Sequence, residues 1–260
     1  MASMRGSNPP GQGSNPWGPA NYIFLLIFLL ISVTNKLGGS TMKSIDTIRL
    51  RKTVGWLGML LPIIVLVLCL VFQCVPGHIF PDSISATYYF APTITPFMGI
   101  LIAASILLMC YRGYEKTDDV INTLTGIAGL CICLFPCSNP EMYAMGLIPD
   151  YVGTFQLPVG ISGWIHNISA VVFFGLLAYN VLFLFTKSGG IMTGNKKKRN
   201  LIYKICGIGM VVALLAIVVV TIFNIYAGTW AVEAVALFFF GIAFLTKADV
   251  YPWLFCDSRT

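Results

Sequence analysis

The chain has 260 residues, 57% hydrophobic and only 10% charged, with a formal net charge of +6; an ordinary soluble domain carries about 25% charged residues. Together with a mean hydropathy of +0.83 this excludes a soluble globular protein, so the length divides into spans of roughly 20 apolar residues rather than domains of roughly 150. The basic residues flank apolar runs and are not interleaved with exposed aromatics, which argues against a nucleic-acid partner; with only two histidines, His78 and His166, a three-histidine metal centre is excluded and no cofactor is expected.

In chain order, Met1 to Ser7 (MASMRGS) resembles an expression leader, and Lys36 to Ser40 (KLGGS) a cloning junction with a short linker. Between them lie a Pro/Gly/Asn/Ser-rich stretch, Asn8 to Pro19, and an apolar run of about a dozen residues, Tyr22 to Val33. Residues 1–41 are therefore read as a leader with one short, non-native helix, and residues 42–260 as the native domain. A native tail and first helix is the alternative; on either reading this helix carries no function.

Six further spans follow, at Val54 to Cys74, Thr93 to Tyr111, Val120 to Phe135, Trp164 to Phe185, Leu201 to Tyr226 and Thr229 to Thr246. The predicted fold class is an all-α integral membrane protein, a six-helix transmembrane bundle preceded by the extra N-terminal helix. Pro62 is tolerated inside the first span because neighbouring helices satisfy the freed carbonyl. Gly99, Ala103, Gly126, Gly129, Gly175, Gly207 and Gly241 offer the close helix contacts of membrane bundles. The polar stretch Val75 to Pro92 reads as a loop with a short helix starting near Asp82 or Ser83.

Fifteen of the sixteen Lys and Arg residues fall in alternate connections: Asn35 to Thr53, Arg112 to Asp119, Lys187 to Lys204 and the C-terminal end. The intervening loops carry none. The positive-inside rule places both ends of the native domain in the cytoplasm.

The other face gathers His78, Asp82, Ser83, Ser85, Tyr88 and Tyr89, then Asn139, Glu141, Asp150 and Tyr151, while Ala227-Gly228 reads as a trivial turn. Trp164 and Trp230 start their helices at the interface, with His166 and Glu233 just beyond them at matched depth, one turn below the surface. A membrane carboxylate should face the bundle interior or water. The predicted ligand-binding set of an outward pocket is His166, Glu233, Asp82, Ser83, Ser85, Tyr88, Tyr89 and Trp230, with His166 and Glu233 as a proton-coupled or ligand-gripping pair. On the plainer reading both are hydrated interfacial groups and Glu233 meets the dipole of its own helix. Ser83 and Ser85 read as nucleophiles beside His166, or as turn or helix caps, the commoner role of Ser-x-Ser in a polar loop. Asn167-Ile168-Ser169 matches a glycosylation sequon inside a helix and should be unmodified. Cys74 and Cys137 approach the same side and are candidates for a disulfide.

Lys247 in the last span invites comparison with retinal proteins, but it stands at the cytoplasmic end and the Thr93 to Tyr111 helix offers no carboxylate counter-ion. The ceramidase and progestin-receptor superfamily needs three histidines. A further resemblance covers most of the chain from Arg49 to Lys247. Ser83 to Tyr89 (SISATYY), Tyr111 to Asp119 (YRGYEKTDD), Leu134 to Pro136 (LFP), His166 with Ser169-Ala170, and Trp230 with Glu233 and Lys247 are together similar to an uncharacterised family of bacterial six-helix membrane proteins, itself similar to the damage-regulated autophagy modulator group. The resemblance implies a bacterial inner-membrane protein and carries over no catalytic residue.

The expected function is binding of a small molecule or lipid head group in the outward pocket, by a sensor or binding module or a small transporter, with membrane lipids as partners and a homo-oligomer admitted. The enzyme alternative is a membrane hydrolase or transferase using His166 with Glu233 or Asp82. An oligomeric channel is a third class, although polar groups cluster only at the outer helix ends.

Overall fold

The computed structural model describes residues 44–75, 77–113, 115–187 and 194–250; the N-terminal helix expected at Tyr22 to Val33 lies outside them. Six helices are long and apolar enough to cross a membrane, and they form an all-α membrane bundle. They are α1 (Ser44–Phe72), α2 (Ala91–Cys110), α3 (Lys116–Leu134), α5 (Val159–Tyr179), α6 (Gly194–Ile222) and α7 (Gly228–Lys247). A π-helical turn, Asn180–Leu184, continues α5. Between α1 and α2 lies a 3-10 helix, Ser85–Tyr89; between α3 and α5 lie the short helix α4 (Pro140–Ala144) and a hairpin of β1 (Tyr151–Val152) antiparallel to β2 (Leu157–Pro158).

Each long helix packs on its neighbours in sequence, and α7 closes a ring by packing on α1. Small residues set the closest seams. Gly55 and Gly58 of α1 face Leu245 and Phe240 of α7, and Gly126 and Gly129 of α3 receive Met109 and Ser105 of α2. Gly99 and Gly175, also expected at helix contacts, face open space. Inside the ring Phe97, Leu108, Leu177, Phe240 and Phe244 are buried, while Leu215, Val171 and Val71 are exposed, as a lipid-facing surface requires.

The spans begin at or up to about three turns before their expected places, the largest offset being that of α1, which starts at Ser44 rather than Val54, and one shift is consequential. Trp164 does not start its helix: α5 begins at Val159, and Trp164 projects outward at 73% exposure. His166 is therefore two turns into the helix rather than one. Every described Lys and Arg is carried by segments meeting at one end of the ring, called here the basic end; the 3-10 helix, α4 and the hairpin form the loop end.

Candidate functional site

Two irregular segments enter the loop end, and each carries backbone groups that lack helical partners. The chain leaving α3 exposes three successive carbonyls, and a side chain takes each. The carbonyl of Phe135 meets His166 Nδ1 at 2.8 Å, that of Pro136 accepts the Ser162 hydroxyl at 2.8 Å, and that of Cys137 accepts the Tyr89 hydroxyl at 2.5 Å. Because a carbonyl can only accept, the proton of His166 sits on Nδ1. His166, Ser162 and the Phe135 ring are all buried.

The 82–89 segment is held in the same way. Glu233 Oε2 accepts the Ile84 N–H at 2.6 Å, Ser83 Oγ accepts the Ala86 N–H at 2.9 Å, and the Asp82 carbonyl accepts the Trp230 N–H at 2.9 Å. Ser83 is therefore a turn cap. Glu233 serves as acceptor for the start of the 3-10 helix. His166 and Glu233, expected as a pair, make no hydrogen bond or ion pair with each other among the described residues. Each satisfies a different piece of backbone.

The eight predicted residues consequently divide. Ser85 and Glu233 line a central crevice walled by Leu61, Phe97, Leu101, Ile132, Phe173 and Leu237. Tyr88 packs against the core and stands edge-on to Tyr89, with centroids 5.3 Å apart. Trp230 packs against the core with its ring centre 5.9 Å from that of Phe80. Only Asp82 opens onto the second cavity, at the loop end.

That cavity is lined by His78, Asp82, Asn139, Glu141 and Tyr226 on its polar side and by Val75, Phe90, Met142, Met145 and Leu147 on its apolar side. Asn139 caps α4 by accepting the Met142 N–H at 3.0 Å and donates to Asp82 Oδ2 at 2.9 Å, which fixes the carboxylate. His78 stacks on Tyr226 with centroids 3.9 Å apart, and the Tyr226 hydroxyl donates to the Phe80 carbonyl at 2.6 Å. The Asp82 carboxyl is held above the usual carboxylate range, chiefly by burial and then by the Glu141 charge, against the lowering effect of hydrogen bonds from Asn139 and the Ala227 N–H. The Ala227-Gly228 connection, trivial in sequence, thus contributes directly: Ala227 adopts a left-handed φ of 56° and turns its N–H to the site.

Sequence reasoning noticed His78, Asn139 and Glu141 as polar loop residues but did not assign them to the site, and Tyr226 passed as a helix end. The separation of partners explains this, since Asn139 reaches Asp82 across 57 positions and Tyr226 reaches Phe80 across 146. Cys74 and Cys137 are free thiols, so the candidate disulfide is not formed; burial, then the Glu233 charge, pushes the Cys137 thiol up to about 12. Among the described residues no group of three His, Cys, Asp or Glu side chains is arranged to hold a metal.

No family model, no curated protein and no solved structure matches the chain.

Proposed function

We propose that the chain is a multipass protein of the bacterial inner membrane whose loop end faces outward and binds a cationic head group carried on an apolar body. The observation that carries this reading is the pairing of Asp82 with Glu141 over a wall of Val75, Phe90, Met142, Met145 and Leu147, beside the stacked His78 and Tyr226 rings. A carboxylate whose proton affinity is raised by burial and a second carboxylate gains most from a cation, and aromatic and apolar walls suit alkylated ammonium groups. No Lys or Arg among the described residues competes for the carboxylates at this end. The same charge asymmetry supports the orientation, with the native ends in the cytoplasm.

The protein acts as a binding or sensor module. The carrier variant of this reading draws on the central crevice, which lies behind the 82–89 segment and ends on Glu233 and Ser85. The hydrolase alternative receives less support, because His166 is spent on the Phe135 carbonyl and Ser83 on a turn.

Benzyltrimethylammonium, a soluble ion of fixed charge with an aromatic body, tests the reading by calorimetry on protein in a nonionic detergent. It should bind, benzenesulfonate should not, and Asp82→Asn and Glu141→Gln should each weaken the cation by about tenfold. Equal binding of cation and anion, or none of the cation, would refute the assignment.

A further inference from the structure

At the opposite end, four cations converge from three helices: Arg51 of α1, Lys196 and Arg199 of α6, and Lys247 of α7. The ammonium groups of Lys196 and Lys247 donate to a single oxygen, the Phe185 carbonyl, at 3.1 and 3.2 Å, which confines the two nitrogens to within about 6 Å of each other. The Arg51 guanidinium donates to the Lys247 carbonyl at 3.5 Å and to the Tyr111 hydroxyl at 3.1 Å. Arg199 pairs with Asp249, just beyond the end of α7.

Topology signalling does not require this arrangement. Exposed lysines give the positive-inside bias at no electrostatic penalty, and Lys197 and Lys198, adjacent in the same helix turn, are exposed. Capping accounts for part of it, since cations are favoured at helix C-termini, yet one donor would serve each carbonyl. The floor beneath the cations is rigid: Tyr111, Phe185 and Tyr203 are buried, Arg51 lies over the Tyr111 ring and Lys247 over the Phe185 ring. Cations held close together on a fixed aromatic floor are pre-organised for an anion with several charged oxygens, and basic recesses between helices at a cytoplasmic face hold phosphorylated head groups.

We infer that the cation cluster at the basic ends of α1, α6 and α7 binds a phosphomonoester or phosphate dianion through Arg51, Lys196, Arg199 and Lys247. The dianion accepts from the two ammonium groups and is flanked by the guanidinium groups. Its source is either a lipid head group or soluble phosphate.

The test follows thermal stabilisation of the full chain in phosphatidylcholine nanodiscs. One arm adds phosphatidic acid to the bilayer, and the other titrates inorganic phosphate. Stabilisation in the first arm alone assigns a lipid head group, in the second alone a soluble anion, and in both the shared phosphate chemistry; each outcome supports the site. Lys196→Gln and Lys247→Gln should each weaken binding at least about tenfold, whereas Lys197→Gln and Lys198→Gln, which remove the same charge from the exposed side, should change it by less than about twofold. No stabilisation in either arm overturns the inference, and so does equal weakening by Lys197→Gln and Lys196→Gln. If Lys247→Gln yields no folded protein, Lys196→Gln, only half-buried, decides the matter.

Discussion

His166 illustrates how far a residue's surroundings decide its role. An imidazole in a membrane helix reads in sequence as a proton-transfer group, yet its Nδ1–H here answers a carbonyl freed where α3 ends. His166→Leu keeps the bulk and leaves the Phe135 oxygen unpartnered. It should lower stability by about 1–3 kcal/mol, measured by denaturant unfolding in detergent, and leave benzyltrimethylammonium affinity unchanged. A loss of affinity without loss of stability would return the histidine to the binding site. Asp82 should behave in the opposite manner. Its folded-state proton affinity is raised by burial and by Glu141, so it stays protonated above the value of about 3.9 at which an unfolded aspartate titrates. A probe of fixed positive charge prefers the ionised carboxylate. Its affinity should therefore rise as pH increases through the elevated Asp82 value, then level off, and Asp82→Asn should flatten that step. Calorimetric titration across acidic pH checks both statements.

Among elements, the seam between α2 and α3 has a sharp local determinant. A methyl group on Gly126 would collide with the Ser105 carbonyl oxygen, which is backbone and cannot swing aside, whereas one on Gly99 meets nothing within 4 Å. Gly126→Ala should cost about 1–3 kcal/mol of stability; Gly99→Ala should cost none and serves as the matched control in the same unfolding measurement. The contrast marks what the sequence conveys about these helices. Long runs of Leu, Ile, Val and Phe announce all six spans, because twenty apolar residues admit one solution in a bilayer. They do not say which glycine faces a neighbour. The start of α5 was obscured because Gly160, Ser162 and Gly163 dilute the apolar signal; Gly163 is needed where the helix passes Ser138, and Ser162 where it meets Pro136. The loop-end cavity was legible only as an inventory of polar residues. Its walls come from three separate segments, and no periodicity links Asp82 to Asn139 or His78 to Tyr226. The basic cluster was misleading in another way, since the topology rule absorbed Lys196 and Lys247 into the same tally as Lys197 and Lys198.

For the molecule as a whole, the charge asymmetry makes a direct claim about sidedness. Asp150 is exposed at the loop end and Lys197 at the basic end. In intact cells an impermeant maleimide should label Asp150→Cys and spare Lys197→Cys until the membrane is opened; the reverse pattern would invert the orientation. Asp82 is a poorer reporter, being half-buried behind Asn139. The closed ring also sets a schedule. Five of its six seams join helices adjacent in the chain, so each forms soon after its second helix is made, but the seam between α1 and α7 joins the first described helix to the last. About 170 residues separate them, which at roughly 5–20 residues per second leaves α1 without its partner for roughly 10–35 s of synthesis. During that interval the glycine faces of α1 are open to other chains, and a ribosome stalled before α7 would release a five-helix sheet of bundle with two unclosed edges, a natural substrate for membrane quality control.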